Sequence, residues 1–156
     1  MARIFATAGL FAYVAFAASM LANGAPARRQ LGNLECNIDR AEIVFHVAQF
    51  AGIVNTLGNN THLVAANKTV KHDVMTLQTG AQGAGGAIKQ IVLALVNGDK
   101  ADPNLRTQVG GNLTAIRDAL ADLSSKDNST SALLDTANTE FVNSVNAANG
   151  VVNNCK

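Results

Sequence analysis

The chain has 156 residues, 48% hydrophobic and 15% charged, with twelve basic and eleven acidic residues for a formal charge of +1. That balance leaves no basic surface of the kind that binds nucleic acid, and the length allows one domain with a real core. Aromatic residues make up 4% and tryptophan is absent, so the core has to be built from Ala, Val, Leu and Ile.

The N-terminal stretch "MARIFATAGLFAYVAFAASMLANGAPARRQ" has a basic start at Arg3, an uncharged apolar run from Ile4 to Ala22, and then small residues. It reads as a signal peptide over 1–24, with Ala22 and Gly24 before the cut. The alternative is a membrane anchor, since the run is just long enough to span. Its alanine content, its interrupting glycine and the small residues after it favour the leader. Arg28–Arg29 then reads as a dibasic site closing a short pro-segment, 25–29, with Gln30 as mature N-terminus; the alternative is an uncut basic spacer. Without Arg3, Arg28 and Arg29, nine basic residues face eleven acidic ones, a net −2. The expected folded domain is 30–156, located outside the cell. The chain lacks a C-terminal apolar tail, which speaks against a lipid-anchor signal.

Four helices are expected after that point. The first, "NIDRAEIVFHVAQFAGIVNTLG", begins after Asn37 or Asp39 as cap and stops at Gly58. One of its faces carries Ile38, Phe45, Ala48 and Gly52; another carries Ile43, Val47, Phe50 and Val54. A helix apolar on most sides is expected to be largely buried. The second has the clearest pattern. Val70, Val74, Leu77, Ala81, Ala84, Ile88, Ile91 and Leu95 alternate steps of four and three, a heptad seam. It ends at Asn97–Gly98. Gly80, Gly83, Gly85 and Gly86 lie in its middle and each costs about 1 kcal/mol against alanine, so a kink, a frayed turn or a break is expected there; the glycines read as close packing against a neighbouring helix, with a hinge beside an internal cavity as the alternative. The third opens with Asp102 as cap and Pro103 at the first helical position, followed by Leu105, Val109, Leu113, Ile116, Leu120 and Leu123. The polar run Ser124–Ser131 reads as a loop. The fourth carries Leu134, Ala137, Phe141, Val145, Ala148, Val152 and Cys155.

Short connections make neighbours antiparallel, giving an all-α up-down four-helix bundle, or five helices if the second breaks at its glycines. In that topology the start of the first helix and the end of the fourth share one end of the bundle. Cys36 and Cys155 sit at those two places, so one disulfide between them is expected. Two free or intermolecular thiols are the alternative.

A catalytic constellation is missing from the pattern. His46, His62 and His72 are the histidines, and His62 and His72, ten apart, do not form the i, i+4 metal pair. HExxH and GxSxG are absent. Glu42 and His46 stand at i, i+4, which reads as a surface pair. The glycine run follows a helix and not a strand, so it is no phosphate loop. No enzyme, cofactor or metal is expected. Four sequons are present at Asn59, Asn67, Asn112 and Asn128. Asn59 and Asn128 fall in expected loops and are the better acceptors. Asn67 and Asn112 lie near helix seams, and Asn67 is also placed to cap a later start of the second helix.

The leader, "RRQLGNLECNIDRAEIV", the Ala/Val-rich helices with the glycine-containing second one, and the terminal "NAANGVVNNCK" together resemble the fungal cell wall galactomannoprotein and hydrophobic surface-binding protein A family. The resemblance spans the whole expected domain through diffuse motifs. It implies an all-helical, secreted, non-enzymatic glycoprotein associated with the cell wall or with hydrophobic surfaces, some members holding lipid in an apolar cavity between helices. The long Ser/Thr-rich wall-anchoring tail of some members is missing here, which favours a freely secreted form. The implied partners are a fatty acid or other apolar ligand, hydrophobic surfaces and cell-wall polysaccharide, with no stable membrane insertion after leader removal. Other classes to weigh are a purely structural wall glycoprotein and a protein-binding inhibitor or recruiter of a secreted hydrolase. If an apolar ligand is held, its expected site is beside "TGAQGAGGA", where small Ala81 and Ala84 stand opposite Phe45, Phe50 or Phe141 and leave volume unfilled.

Overall fold

The structure, a computed structural model, describes residues 34–65 and 67–155. The leader, the dibasic site and Gln30 lie outside them. Among the described residues there are four long helices and one short helix: α1 (Leu34–Gly58), α2 (Thr61–Val64), α3 (Lys68–Val96), α4 (Pro103–Asp122) and α5 (Asn128–Asn154). No strand occurs among the described residues. Extensive packing joins α1 to α5, α3 to α4 and α1 to α3, while α4 and α5 touch only narrowly. The bundle is antiparallel, with three closed walls and a loose fourth.

Local chemistry explains the boundaries. Asn67 caps α3, its side-chain oxygen accepting from the Val70 amide at 2.8 Å. Asp102 caps α4 through the Asn104 amide, with Pro103 at the start of the helix. Asn97 closes α3, and Gly98, at φ +82°, supplies the left-handed residue that turns the chain away. Two boundaries differ from the expected ones. The chain is already helical at Leu34, ahead of the caps read at Asn37 and Asp39; Asn37 instead accepts from Arg40, and Asp39 from Asn154 across the bundle. The loop read at Ser124–Ser131 is shorter. Asp127 caps α5, its carboxylate accepting the Thr130 amide at 2.8 Å, so Asn128 to Ser131 are already helical.

The expected break in the second helix does not occur: α3 runs unbroken over 29 residues. The glycines are used for close approach. A Cβ on Gly80 would stand 2.7 Å from Cγ1 of Ile116, and one on Gly83 would stand 2.5 Å from the Asn112 side chain. The missing methyl groups let α4 lie against α3, and that contact offsets the helix-propensity cost.

Val74, Leu77, Ala81, Ala84 and Ile88 of the α3 seam are buried as expected. They share one core with Ile43, Val47, Phe50 and Val54 of α1, with Leu105, Val109, Leu113 and Ile116 of α4, and with Leu134, Ala137 and Phe141 of α5. The disulfide joins Cys36 and Cys155, with Cα atoms 5.0 Å apart across 119 residues of chain. Three further links hold α1 to α5. Asn154 donates to Asp39 at 2.8 Å, His46 Nδ1 meets Glu140 Oε2 at 2.7 Å, and Asn60 at the α1–α2 corner donates to Thr130 at 2.9 Å.

Candidate functional site

The unusual surface of this bundle belongs to α1. Ile43, Val47, Phe50, Val54 and Leu57 turn inward. Diametrically opposite, Leu34, Ile38, Ala41, Phe45, Ala48 and Gly52 follow one another in steps of four, three, four, three and four, a second heptad seam on the same helix. The seam faces outward. Leu34 is 74% exposed, Ile38 46% and Phe45 52%; Ala41 is exposed, and a Cβ on Gly52 would meet nothing within 4 Å. The expectation that both faces of this helix are buried therefore holds for one face only, because α5 and α3 occupy its inner side and no described element covers the outer one. Leu34 and Ala41 belong to this seam and were not read as part of it from the sequence; the four-three spacing was the available signal.

The apolar-ligand residues expected beside the glycine run are not gathered around one open space. Ala81 and Ala84 are buried in the core, where α4 has closed up on α3. Phe50 and Phe141 are buried too, their ring centroids 6.3 Å apart. Phe45 points away from all of them, meeting the ring of His46 edge-on at 5.2 Å. The loose wall opens a groove of about 350 Å³ elsewhere, between the end of α4 and the first half of α5. Leu120, Leu123, Leu134 and Phe141 form its apolar part, and Arg117, Asp135 and Asn138 stand among its other lining residues. Phe141 thus shows the core on one side and this groove on the other.

The chemistry-bearing residues are dispersed. His46 pairs with Glu140 rather than with Glu42, since position 46 turns toward α5. His62 and His72 fall on different helices, α2 and α3. No group of three or more metal-ligating side chains occurs among the described residues. Burial and the nearby Arg106 pull the Arg40 guanidinium below its ordinary pKa. Of the sequons, Asn59 is exposed at the α1–α2 turn, Asn128 is exposed in the first turn of α5, and Asn67 is exposed as the cap of α3. Asn112 is half-buried within α4. Its Nδ2 donates to the Gln108 carbonyl at 2.8 Å, and its amide fills the space left by Gly83.

Comparison of the chain with protein-family models, with curated proteins and with solved structures returns no match. What this protein does is therefore argued from its own surface. Among the described residues no helix is long and apolar enough to cross a membrane.

Proposed function

We propose that this protein is a secreted, non-enzymatic glycoprotein of the cell wall or extracellular space that adsorbs to hydrophobic surfaces. The outward seam of α1 is the observation that carries this reading. A helix with apolar residues on its free side over five turns lies flat on an apolar surface and buries that side there. The disulfide fits an oxidising compartment, and the three exposed sequons leave the α1 seam clear, since none lies on it. The family resemblance read from the sequence points to the same class.

The test is binding of the purified protein to polystyrene beads and to phosphatidylcholine vesicles. Replacement of Ile38 and Phe45 by Ser is expected to reduce adsorption at least ~10-fold, since each side chain contributes about 1.5–3 kcal/mol on burial. Equal adsorption by a helical Ile38→Ser/Phe45→Ser protein would overturn the reading. A structural wall role would leave the wild type without adsorption, and a hydrolase-binding role would show a captured protein partner instead.

The groove between α4 and α5 favours a second, compatible reading, a lipid-like chain held against Leu120, Leu134 and Phe141 with its polar head near Arg117. Organic extraction followed by mass spectrometry tests it. Absence of any lipid, together with no uptake of a fluorescent fatty acid, would remove it without touching surface adsorption.

A further inference from the structure

We infer that two copies of this chain associate through the outward seam of α1, antiparallel, about a two-fold axis at the level of Ile43. The order of large and small residues along the seam carries the inference. That axis brings Leu34 opposite Gly52 of the partner subunit, Ile38 opposite Ala48 of the partner subunit, and Phe45 opposite Ala41 of the partner subunit. Every large side chain then meets a small one. Each of these facing pairs also joins an a position to a d position, the layer type of an antiparallel helix pair.

Other arrangements fill space less well. A parallel pair would set Phe45 against Phe45 and Ala48 against Ala48, crowding one layer and emptying the next. Sliding the antiparallel pair by a heptad in one direction leaves Leu34 and Ile38 uncovered, and in the other it forces Leu34 against Phe45. The register at Ile43 alone uses all six residues once, large against small.

Size and charge set the strength of the association. From Leu34 to Gly52 the seam is about 27 Å long. A two-helix contact of that length covers on the order of 1,000 Å² in total, the small end of specific interfaces, where weak and transient association is found. Beside the axis, Glu42 is exposed and meets Glu42 of the partner subunit. Val44, on the other flank, meets its own copy. Of the flanking positions 35, 37, 42, 44, 49 and 51, none is basic, so added salt should tighten the dimer by screening the two glutamates.

The pair would cover the face assigned above to apolar surfaces, so that the dimer is the closed form and the adsorbing form is the monomer. This last step rests on the adsorption reading, while the dimer itself does not.

Sedimentation velocity of the purified, disulfide-bonded protein between about 1 and 200 µM tests the proposal. A concentration-dependent monomer–dimer equilibrium is expected, tighter at high salt. Ala48→Leu should weaken it at least ~10-fold by overfilling the layer shared with Ile38, and Ile38→Ala/Ala48→Leu should restore it. Ala41→Leu, which overfills the Phe45 layer, gives an independent second variant, with circular dichroism as the folding check. A protein that stays monomeric throughout, or a dimer that neither variant weakens, overturns the inference. Bead adsorption by the same Ala48→Leu protein reads the other proposal separately, because the substitution enlarges the apolar face and adsorption should persist while dimerisation falls.

Discussion

Gly86 and Gly80 lie six residues apart on α3 and have opposite surroundings. A methyl group at Gly86 would meet nothing within 4 Å, whereas at Gly80 it would run into Ile116 and come within 3.3 Å of the Asn112 carbonyl. Gly86→Ala should therefore stabilise the protein by up to about 1 kcal/mol through helix propensity alone. Gly80→Ala should destabilise it by about 1–3 kcal/mol, because α4 has to move outward. Urea midpoints of the two variants decide this, and equal shifts would mean that α3 and α4 are not in close contact. Asp73 is a second pointed case. It is 7% exposed, and one of its carboxylate oxygens is buried with no hydrogen-bond partner. An acceptor left unpaired in the interior costs about 1–3 kcal/mol. Asp73→Asn, which removes the charge at nearly constant shape, is expected to raise stability by about 1 kcal/mol in the same measurement; a loss would reveal that the carboxylate is favourably placed.

At the level of helices, two kinds of adhesion divide the bundle. The α1–α5 pair is joined by a disulfide and by polar links at both ends and the middle. The α3–α4 pair is joined by closeness, with Gly80 and Gly83 receiving Ile116 and Asn112. A glycan on Asn112 would have to break the bond from its Nδ2 to the Gln108 carbonyl and disturb its contact with Gly83. In material from a glycosylating host, peptide mapping should find Asn112 unmodified and Asn59 occupied. Occupied Asn112 in a folded, fully helical protein would contradict the packing of α4 on α3. Much of this level was legible in the sequence. The α3 seam from Val74 to Ile88, the Asp102–Pro103 start, the stop at Gly58 and the pairing of the two cysteines follow from periodicity, caps and topology. Close packing at the glycine run was legible too, whereas the expected break is not met, because propensity is local and the compensating contact comes from α4, some thirty residues further along. The α1 faces were misjudged for a related reason. Periodicity shows that a helix has two apolar sides, but only the positions of its neighbours decide which side is covered.

For the molecule as a whole, the cross-link matters most. Its loop of 119 residues takes in nearly all of the described chain, so the chain-entropy argument assigns it about 4–5 kcal/mol. That is comparable to the whole stability of many small domains. A Cys36→Ser/Cys155→Ser protein should lose about that amount in urea titration, and its α1 and α5 should come apart before α3 and α4. Amide exchange resolved by helix would show the order. A loss below about 1 kcal/mol would mean that Asp39, His46 and Thr130 already hold the pair without the cross-link.

The same bond also decides how the protein carries a mechanical load. Cys36 and Cys155 lie close to the two ends of the described chain, their Cα atoms 5.0 Å apart. A pull applied to the segments outside them runs through two sulfur atoms and bypasses the described helices between them. Stretched between two anchorages, the oxidised protein should behave as a short inextensible link, with no unfolding step in a single-molecule trace. Under reductant the trace should gain one release of about 40 nm, the contour of the 119 freed residues. Such a link keeps its helical surface intact under tension that would strip an uncrosslinked bundle.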